Sequence, residues 1–478
     1  MTVSAEADVL VVGGGPSGII AALAAAGRPL PSPPRNGEGV THARSGRSLP
    51  VAGRAGEGSP GRPADRLRVA LVEKRGFVGG NLTIGLPILG FLSQKGEPII
   101  KGLPQKLIDR LRAMGAASEH QPCPLHVSLT LIDPEAVKSV ALEMLRESGV
   151  EVMLHSTCAD VIMDGDRLKG IITEDKPIRA KVIIDCTGDG EVAFRAGVPC
   201  EKGDERGGMQ PPTLMFCMAG VDTDQLRMSI CSEPETYDVD FIPPDYFCRN
   251  RRFIVVGLRR LIEKARKAGL SIPTERTILI TGLRDGEVWV NMTRVRGIDG
   301  TDPRSLSAGE IEAAGQVDDI RRYLIEYVPG FEKAYLAGTA PFLGIRETRR
   351  IVGRYVMTRE DILECRRFDD AIAVGSYPID LHRPDDDGCT LEWCGDCYDI
   401  PYRSLVPQRV ENLLVAGRCI STTHEAMAAI RVMSTCMAMG EAAGRAAGMA
   451  VREGIAPSAI DVGSLREELI AHGVFLRR

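Results

Sequence analysis

The turn Gly13-Gly14-Gly15-Pro16-Ser17-Gly18 has the residue types and spacing to hold a phosphate group. In a Gly-x-Gly-x-x-Gly run the first glycine, Gly13, permits a tight turn. The second, Gly15, lets backbone approach a pyrophosphate, and the third, Gly18, lets helix and strand pack closely. A second set of residues could handle an organic substrate. Arg346 follows a glycine-containing turn, and a guanidinium can clamp a carboxylate in bidentate fashion. His382 is a candidate base, because an unperturbed imidazole with a pKa of about 6.5 accepts a proton at neutral pH. Tyr402, Arg403 and Arg349 complete that set. Each has an ordinary alternative use: arginines three apart on a helix often form salt bridges, and a single histidine is often structural. A third set is Cys394-Gly395-Asp396-Cys397, with Cys389 nearby. Cys-x-x-Cys can act as a thiol–disulfide pair. It is also half a zinc site, but no second pair or suitable histidine cluster stands close by, so no metal is expected.

These residues need elements to position them. The apolar run Ala7–Val12 reads as a buried strand that enters the glycine turn, and Ile19–Ala26 reads as the helix that leaves it. That helix would aim its free N–H groups and positive dipole end at a phosphate. The acidic residue that holds a ribose usually follows about 20 residues later. Here the next apolar strand, Val69–Val72, ends in Glu73, with a Gly-, Pro- and Arg-rich stretch between. The stretch starts Pro29-Leu30-Pro31-Ser32-Pro33-Pro34 and loosely repeats itself, Arg35–Gly39 being echoed by Arg54–Gly58. It reads as a low-complexity, disordered insertion that displaces Glu73 in sequence and not in space, leaving Glu73 as the ribose carboxylate.

At 478 residues the chain suggests two domains, and its net charge of −5 has no basic block outside the insertion, so nucleic acid is not expected. No apolar run approaches the ~20 residues of a membrane span, and no signal peptide precedes the first strand. Thirteen scattered cysteines, many in apolar runs, suit a reducing compartment better than a disulfide framework, and the expected location is cytoplasmic.

Beyond Glu73, helices are predicted at Pro104–Met114 and Pro134–Ser148, followed by short strands between Val150 and Ile184 with a hairpin turn at Asp164-Gly165-Asp166. From about Gly203 the pattern changes to antiparallel strands at Thr213–Ala219, Thr277–Thr281 and Glu287–Thr293. Helices are predicted there at Asp224–Met228, Phe253–Ala268 and Ala308–Tyr327. Near the end, Asn412–Ala416 is another buried strand. Met433–Val451 is a long small-residue helix whose Gly440, Gly444 and Gly448 make a flat face.

The order of these features resembles the two-dinucleotide-binding-domain flavoproteins related to glutathione reductase. More narrowly, four motifs look like the FAD-dependent oxidoreductase family: Gly344-Ile345-Arg346-Glu347-Thr348-Arg349-Arg350-Ile351, Tyr377-Pro378-Ile379-Asp380-Leu381-His382, Asp399-Ile400-Pro401-Tyr402-Arg403, and Arg431-Val432-Met433-Ser434-Thr435-Cys436-Met437-Ala438-Met439-Gly440. The resemblance spans nearly the whole chain except the insertion, and departs at Ser434, where a proline would be expected. It implies an α/β fold in which a Rossmann-like FAD-binding domain, a parallel sheet with a β-meander, is interleaved with an α+β substrate domain. The expected divisions are 1–27, 68–203 and 370–478 for FAD, 28–67 for the insertion and 204–369 for the substrate domain.

The resemblance also implies roles. Gly13, Gly15, Pro16, Ser17 and Gly18 would hold the FAD pyrophosphate, and Glu73, with Lys74 and Arg75 beside it, the adenosine ribose. Gly79, Gly80 and Asn81 would lead towards the ribityl chain. Cys158 would lie near the adenine, and Thr187, Gly188 and Asp189 would close on the pyrophosphate. Gly417 and Arg418 would meet phosphate and ribityl, and Met433 and Ser434 the flavin ring, where a helix N-terminus stabilises the negative charge of reduction. Only one nucleotide fingerprint is visible, so electrons are expected to pass between a small-molecule substrate and an unidentified acceptor. The implied activity is hydride transfer between a small organic substrate and non-covalent FAD. The alternatives are a thiol–disulfide oxidoreductase using Cys394 and Cys397, or a non-catalytic flavin-binding redox-sensing subunit.

Overall fold

The computed structural model describes residues 5–30, 66–174 and 176–477. The insertion expected over 28–67 therefore lies, from 31 to 65, outside the described residues.

Ala5–Val12 is the spine of the main sheet, which has seven strands among the described residues. Val69–Val72 lies parallel to it on one side, in the register Val9 to Val69 through Val12 to Val72, and Glu151–Met153 extends the sheet beyond. Pro177–Asp185 lies parallel on the other side. Its C-terminal end pairs with Leu413–Val415, and its N-terminal end pairs antiparallel with Arg167–Ile172, which turns back through Asp160–Asp164. Val9, Leu10, Val11, Leu71, Ile183 and Ile184 are all buried, as expected of strands covered on both faces. The glycine turn and Glu73 thus sit together at the C-terminal edge of adjacent parallel strands.

Helix Pro16–Ala26 covers this sheet and is itself covered by helix Met433–Glu453. The flat face foreseen on the second helix packs there. A Cβ added at Gly440 would stand 2.2 Å from the Ser17 carbonyl oxygen, and one at Gly444 2.2 Å from that of Ala21. A Cβ at Gly448 would lie 3.8 Å from the Ala25 carbonyl oxygen and 3.7 Å from Leu67 Cδ1, so the two flanks of the insertion meet at one point of this helix.

A second, antiparallel sheet has the order Ile254–Gly257, Thr277–Thr281, Val288–Val290, Phe216–Ala219, Tyr335–Thr339. Helix Pro303–Tyr327 packs on it through Ala313, Val317, Ile320, Tyr323 and Leu324. The two sheets have separate apolar cores, and the chain crosses between them within one residue: Val432 belongs to the second core and Met433 to the first.

Three expectations need correction. The single helix expected over 253–268 is a strand, Ile254–Gly257, then Leu258 in the left-handed region at φ 54°, then helix Arg259–Lys267. Buried β-branched Ile254, Val255 and Val256 pack better on a pleated sheet. The helix expected from Ala308 begins at Pro303, capped by Asp302. Two cysteines form a disulfide, Cys231–Cys248, joining helices Thr223–Ser232 and Pro244–Arg249, while the other eleven are free. Among the described residues no helix is long and apolar enough to cross a membrane.

Candidate functional site

A cavity of about 550 Å³ opens over the glycine turn. Its walls include Gly13, Gly15, Pro16 and Ser17, then Glu73, Lys74 and Arg75, then Gly80, Asn81 and Cys158. Thr187, Gly188, Asp189, Arg418 and Met433 complete the set of expected residues that line it. Gly13 is at φ 102°, and a Cβ there would press to 2.5 Å from the Cys186 carbonyl oxygen. A Cβ on Gly18 would collide with the Gly13 carbonyl at 1.8 Å, so Gly18 serves helix–strand contact and does not itself line the cavity. Gly15 differs: a Cβ there would meet nothing within 4 Å and would project into open space. Gly15 also caps helix Pro16–Ala26, and no side chain caps that N-terminus. An uncapped helix start facing a cavity is an anion site, and it fits a pyrophosphate.

Glu73 reaches this turn from 59 residues away. Its Oε2 accepts the Gly14 N–H at 2.7 Å and its Oε1 the Arg75 N–H at 2.9 Å, which fixes the carboxylate. The Arg75 guanidinium lies 3.5 Å over the Phe342 ring. On the opposite wall Asp185 accepts from Thr187 N–H at 3.0 Å and Thr187 Oγ1 at 2.7 Å, fastening the turn after its strand. Asp189 pairs with Arg418 at 2.7 Å and Lys74 at 3.6 Å. Burial pushes the Asp189 carboxyl up, but Arg418 and Lys74 outweigh it and the net direction is down.

A smaller cavity of about 100 Å³ adjoins the first. Asn81, Ile345, Arg418, Arg431 and Met433 line both. The smaller one adds Arg346 and His382 from the expected set, together with His126, Tyr377 and Asp380. Its walls hold three guanidinium groups and one carboxylate, and Arg418 is already committed to Asp189. Arg346 donates to two neutral oxygens, Pro211 O at 2.6 Å and Thr213 Oγ1 at 2.8 Å. Burial, with Arg431 nearby, lowers its pKa to about 9, the signature of a cation short of negative charge. Asp380 accepts from the Tyr377 hydroxyl at 3.1 Å and stands 3.5 Å from both His382 Nε2 and Arg431 Nη2. Burial pushes its carboxyl up, but His382 and Arg431 pull it well below the carboxylate range.

His382 is not the free base that its ordinary pKa suggests. Arg294 Nη1, an obligate donor, lies 3.3 Å from His382 Nδ1, which places the proton of the neutral ring on Nε2, towards Asp380. Burial and the Arg346 charge lower the ring to about 4 despite Asp380. The imidazole is therefore neutral at pH 7, with its lone pair occupied.

Other expected residues lie away from the cavities. The Tyr402 hydroxyl donates to Pro457 O at 2.9 Å inside the core, and Arg403 pairs with Asp370 at 2.9 Å on the surface. Arg349 pairs with Glu191 at 2.7 Å. Gly79 sits at φ 127°, where a Cβ would strike the Thr83 side chain, and Gly417 packs on Ser17. The Ser434 hydroxyl donates to Leu89 O. Cys394 and Cys397 are buried free thiols that line neither cavity; burial pushes Cys394 up to about 12 and raises Cys397. Thiols so held are poor nucleophiles. Sequence reasoning gave no role to Asp380 and Arg431, although both stand within the quoted motifs. It missed His126 altogether, which carries no sequence signal.

A family model described as FAD dependent oxidoreductase matches residues 64–469. No match is found among curated protein sequences. Among solved structures, the chain is similar to GidA of Aquifex aeolicus, at 14% identity over 98% of this chain and 68% of that one, with a TM-score of 0.47. It is similar to a geranylgeranyl bacteriochlorophyll reductase-like protein of Thermoplasma acidophilum, at 15% identity over 98% and 83%, with a TM-score of 0.44. A third likeness is to the p-nitrophenol 4-monooxygenase PnpA of Pseudomonas putida, at 12% identity over 98% and 84%, with a TM-score of 0.44.

Proposed function

The chain belongs to the FAD-dependent oxidoreductase family, and on that premise we propose that it moves hydride between FAD and a small organic anion held in the smaller cavity. FAD, when bound, supplies the two-electron chemistry. The protein's part is to hold and orient. The uncapped helix start at Gly15–Ser17 receives the pyrophosphate, and Glu73, already fixed by two backbone N–H groups, meets the ribose. Met433, at the start of the last long helix, and Arg418 stand on the wall shared by the two cavities. In this reading residues 204–369 form the substrate domain and contribute Arg346.

One observation carries the proposal: Arg346 is a half-buried guanidinium whose hydrogen bonds among the described residues go only to neutral oxygens, in a cavity that shares five wall residues with the larger one. A carboxylate there would receive a charge-assisted bidentate contact and neutralise the excess charge. The test is anaerobic mixing of the holoprotein with small hydroxy and amino acids and with their amides, following flavin absorbance. Acids should bleach the flavin and amides should not, and Arg346→Gln should weaken the acid's apparent affinity ~10–100-fold with FAD retained. Bleaching by neutral donors alone, or an Arg346→Gln variant that behaves as native, would sink the reading.

A further inference from the structure

Besides its three arginines, four titratable groups face the smaller cavity: Tyr377, Asp380, His382 and His126. Three are committed. Tyr377 donates to Asp380, and burial holds its phenol protonated far above its usual range. Asp380 is surrounded by Tyr377, His382 and Arg431 and stays ionised. His382 gives one ring nitrogen to Arg294 and turns the other to Asp380.

His126 is the exception. Its Nδ1 is sealed from solvent without a hydrogen-bond partner. The ring is placed by packing: it stacks on Tyr377 with centroids 5.9 Å apart and planes 18° from parallel. Its backbone is held by the hairpin of Gln121–Cys123 with Val127–Thr130, where Cys123 pairs with Val127. Val127 stands at φ 63°, in the left-handed region that a β-branched residue rarely enters. A half-buried imidazole on the cavity wall, held by stacking, with one ring nitrogen unpartnered, is available to something that enters the cavity.

We propose that His126 is the proton acceptor of this site. The inference rests on the reading of the cavity as an anion site. In the oxidative direction one C–H and one O–H or N–H bond of the anion break, and a C=O or C=N bond forms. The two electrons leave with the hydride to FAD, and the proton goes to His126. Burial lowers the His126 ring to about 4, with Arg431 adding to the effect and Asp380 opposing it. The charged and titratable groups around it are Asp380 and Tyr377 from the segment before His382, His382 itself, Arg431 after helix His424–Ile430, and Arg346. An anion bound among them adds negative charge and raises the ring towards its ordinary value, where a base is best matched to neutral pH. Anion binding and His126 protonation are then one coupled equilibrium, so binding must strengthen as pH falls.

Acetate is a suitable probe, because it stays ionised from pH 6 to 8. Acetate is titrated into the holoenzyme at pH 6 and pH 8 by its perturbation of the flavin spectrum, in native, His126→Gln, His126→Asn and His382→Gln proteins. In parallel, the seven histidines are followed by ¹⁵N NMR. Native protein should bind acetate about two- to fourfold more tightly at pH 6 than at pH 8, fourfold being the limit for a ring raised to its ordinary pKa of about 6.5. Both His126 variants should keep FAD and lose this dependence, and the resonance they remove should move towards imidazolium when acetate is added. Persistence of the pH dependence in the His126 variants, its loss in His382→Gln alone, or an unmoved resonance would overturn the proposal. Failure of acetate to bind at either pH would instead overturn the anion-site reading beneath it.

Discussion

Gly15 and Gly18 are both glycines of one turn, yet they answer different demands. Gly18 is required by its neighbours, because an added Cβ would stand 1.8 Å from a backbone oxygen, whereas at Gly15 the space is open. A Gly15→Val protein should therefore fold with a native melting temperature in the FAD-free state and fail to bind FAD, as read by spectrum and ultrafiltration. A variant that folds and stays yellow would show that no phosphate occupies that space. Such backbone demands are local, which is why Gly13, Gly15 and Gly18 could be read from spacing alone, whereas Glu73, 59 residues from Gly14, could be read only by setting the insertion aside. Arg346 and His382 could be read as types but not as environments. Whether a histidine is a free base depends on what faces each nitrogen, and Arg294 comes from 88 residues away.

At the scale of elements, helix Met433–Glu453 does two jobs. Its glycines admit the backbone of helix Pro16–Ala26, and its buried Glu441 accepts the Leu103 N–H at 2.8 Å, where helix Leu103–Ala113 begins. Burial raises the Glu441 carboxyl to about 7, against the lowering effects of that hydrogen bond and Arg445. The folded state thus keeps the proton more tightly than the unfolded chain. Stability falls as pH rises from the ordinary carboxyl range to about 7 and is level above it. In Glu441→Gln this slope should vanish, so the stability gap between native and variant should change by about 3 kcal/mol between pH 4.5 and 8 in denaturant titrations. An unchanged gap would mean that the carboxyl titrates normally. The glycine stripe was visible in the sequence because period and residue size suffice to reveal it. The segment from Phe253 was misread because its helical tail, Arg259–Lys267, is strongly amphipathic and drew the strand before it into the same pattern.

At the scale of the whole molecule, the antiparallel strand Thr277–Thr281 of the second sheet was legible, but the seam between the two cores was not. Seams are made by contacts between distant segments, and here Arg346, Tyr377 and Arg431 converge on one cavity. The insertion is a separate matter. Its flanks, Ala25 and Leu67, meet at Gly448, so a short join can replace the excursion without moving either. A protein joining Gly27 to Leu67 should remain yellow and lose no more than ~1–2 kcal/mol of stability, since loop-closure entropy varies slowly with length. Loss of FAD, or a much larger drop in melting temperature, would make the segment structural. The seam has a mechanical consequence as well. Both cavities take their walls from both cores, Met433 and Cys186 from one, Leu343 and Tyr377 from the other. Whatever fills them is a rivet through two plates. Its removal frees each plate to soften at its own temperature, so calorimetry should resolve two steps in the stripped protein and one in the loaded protein.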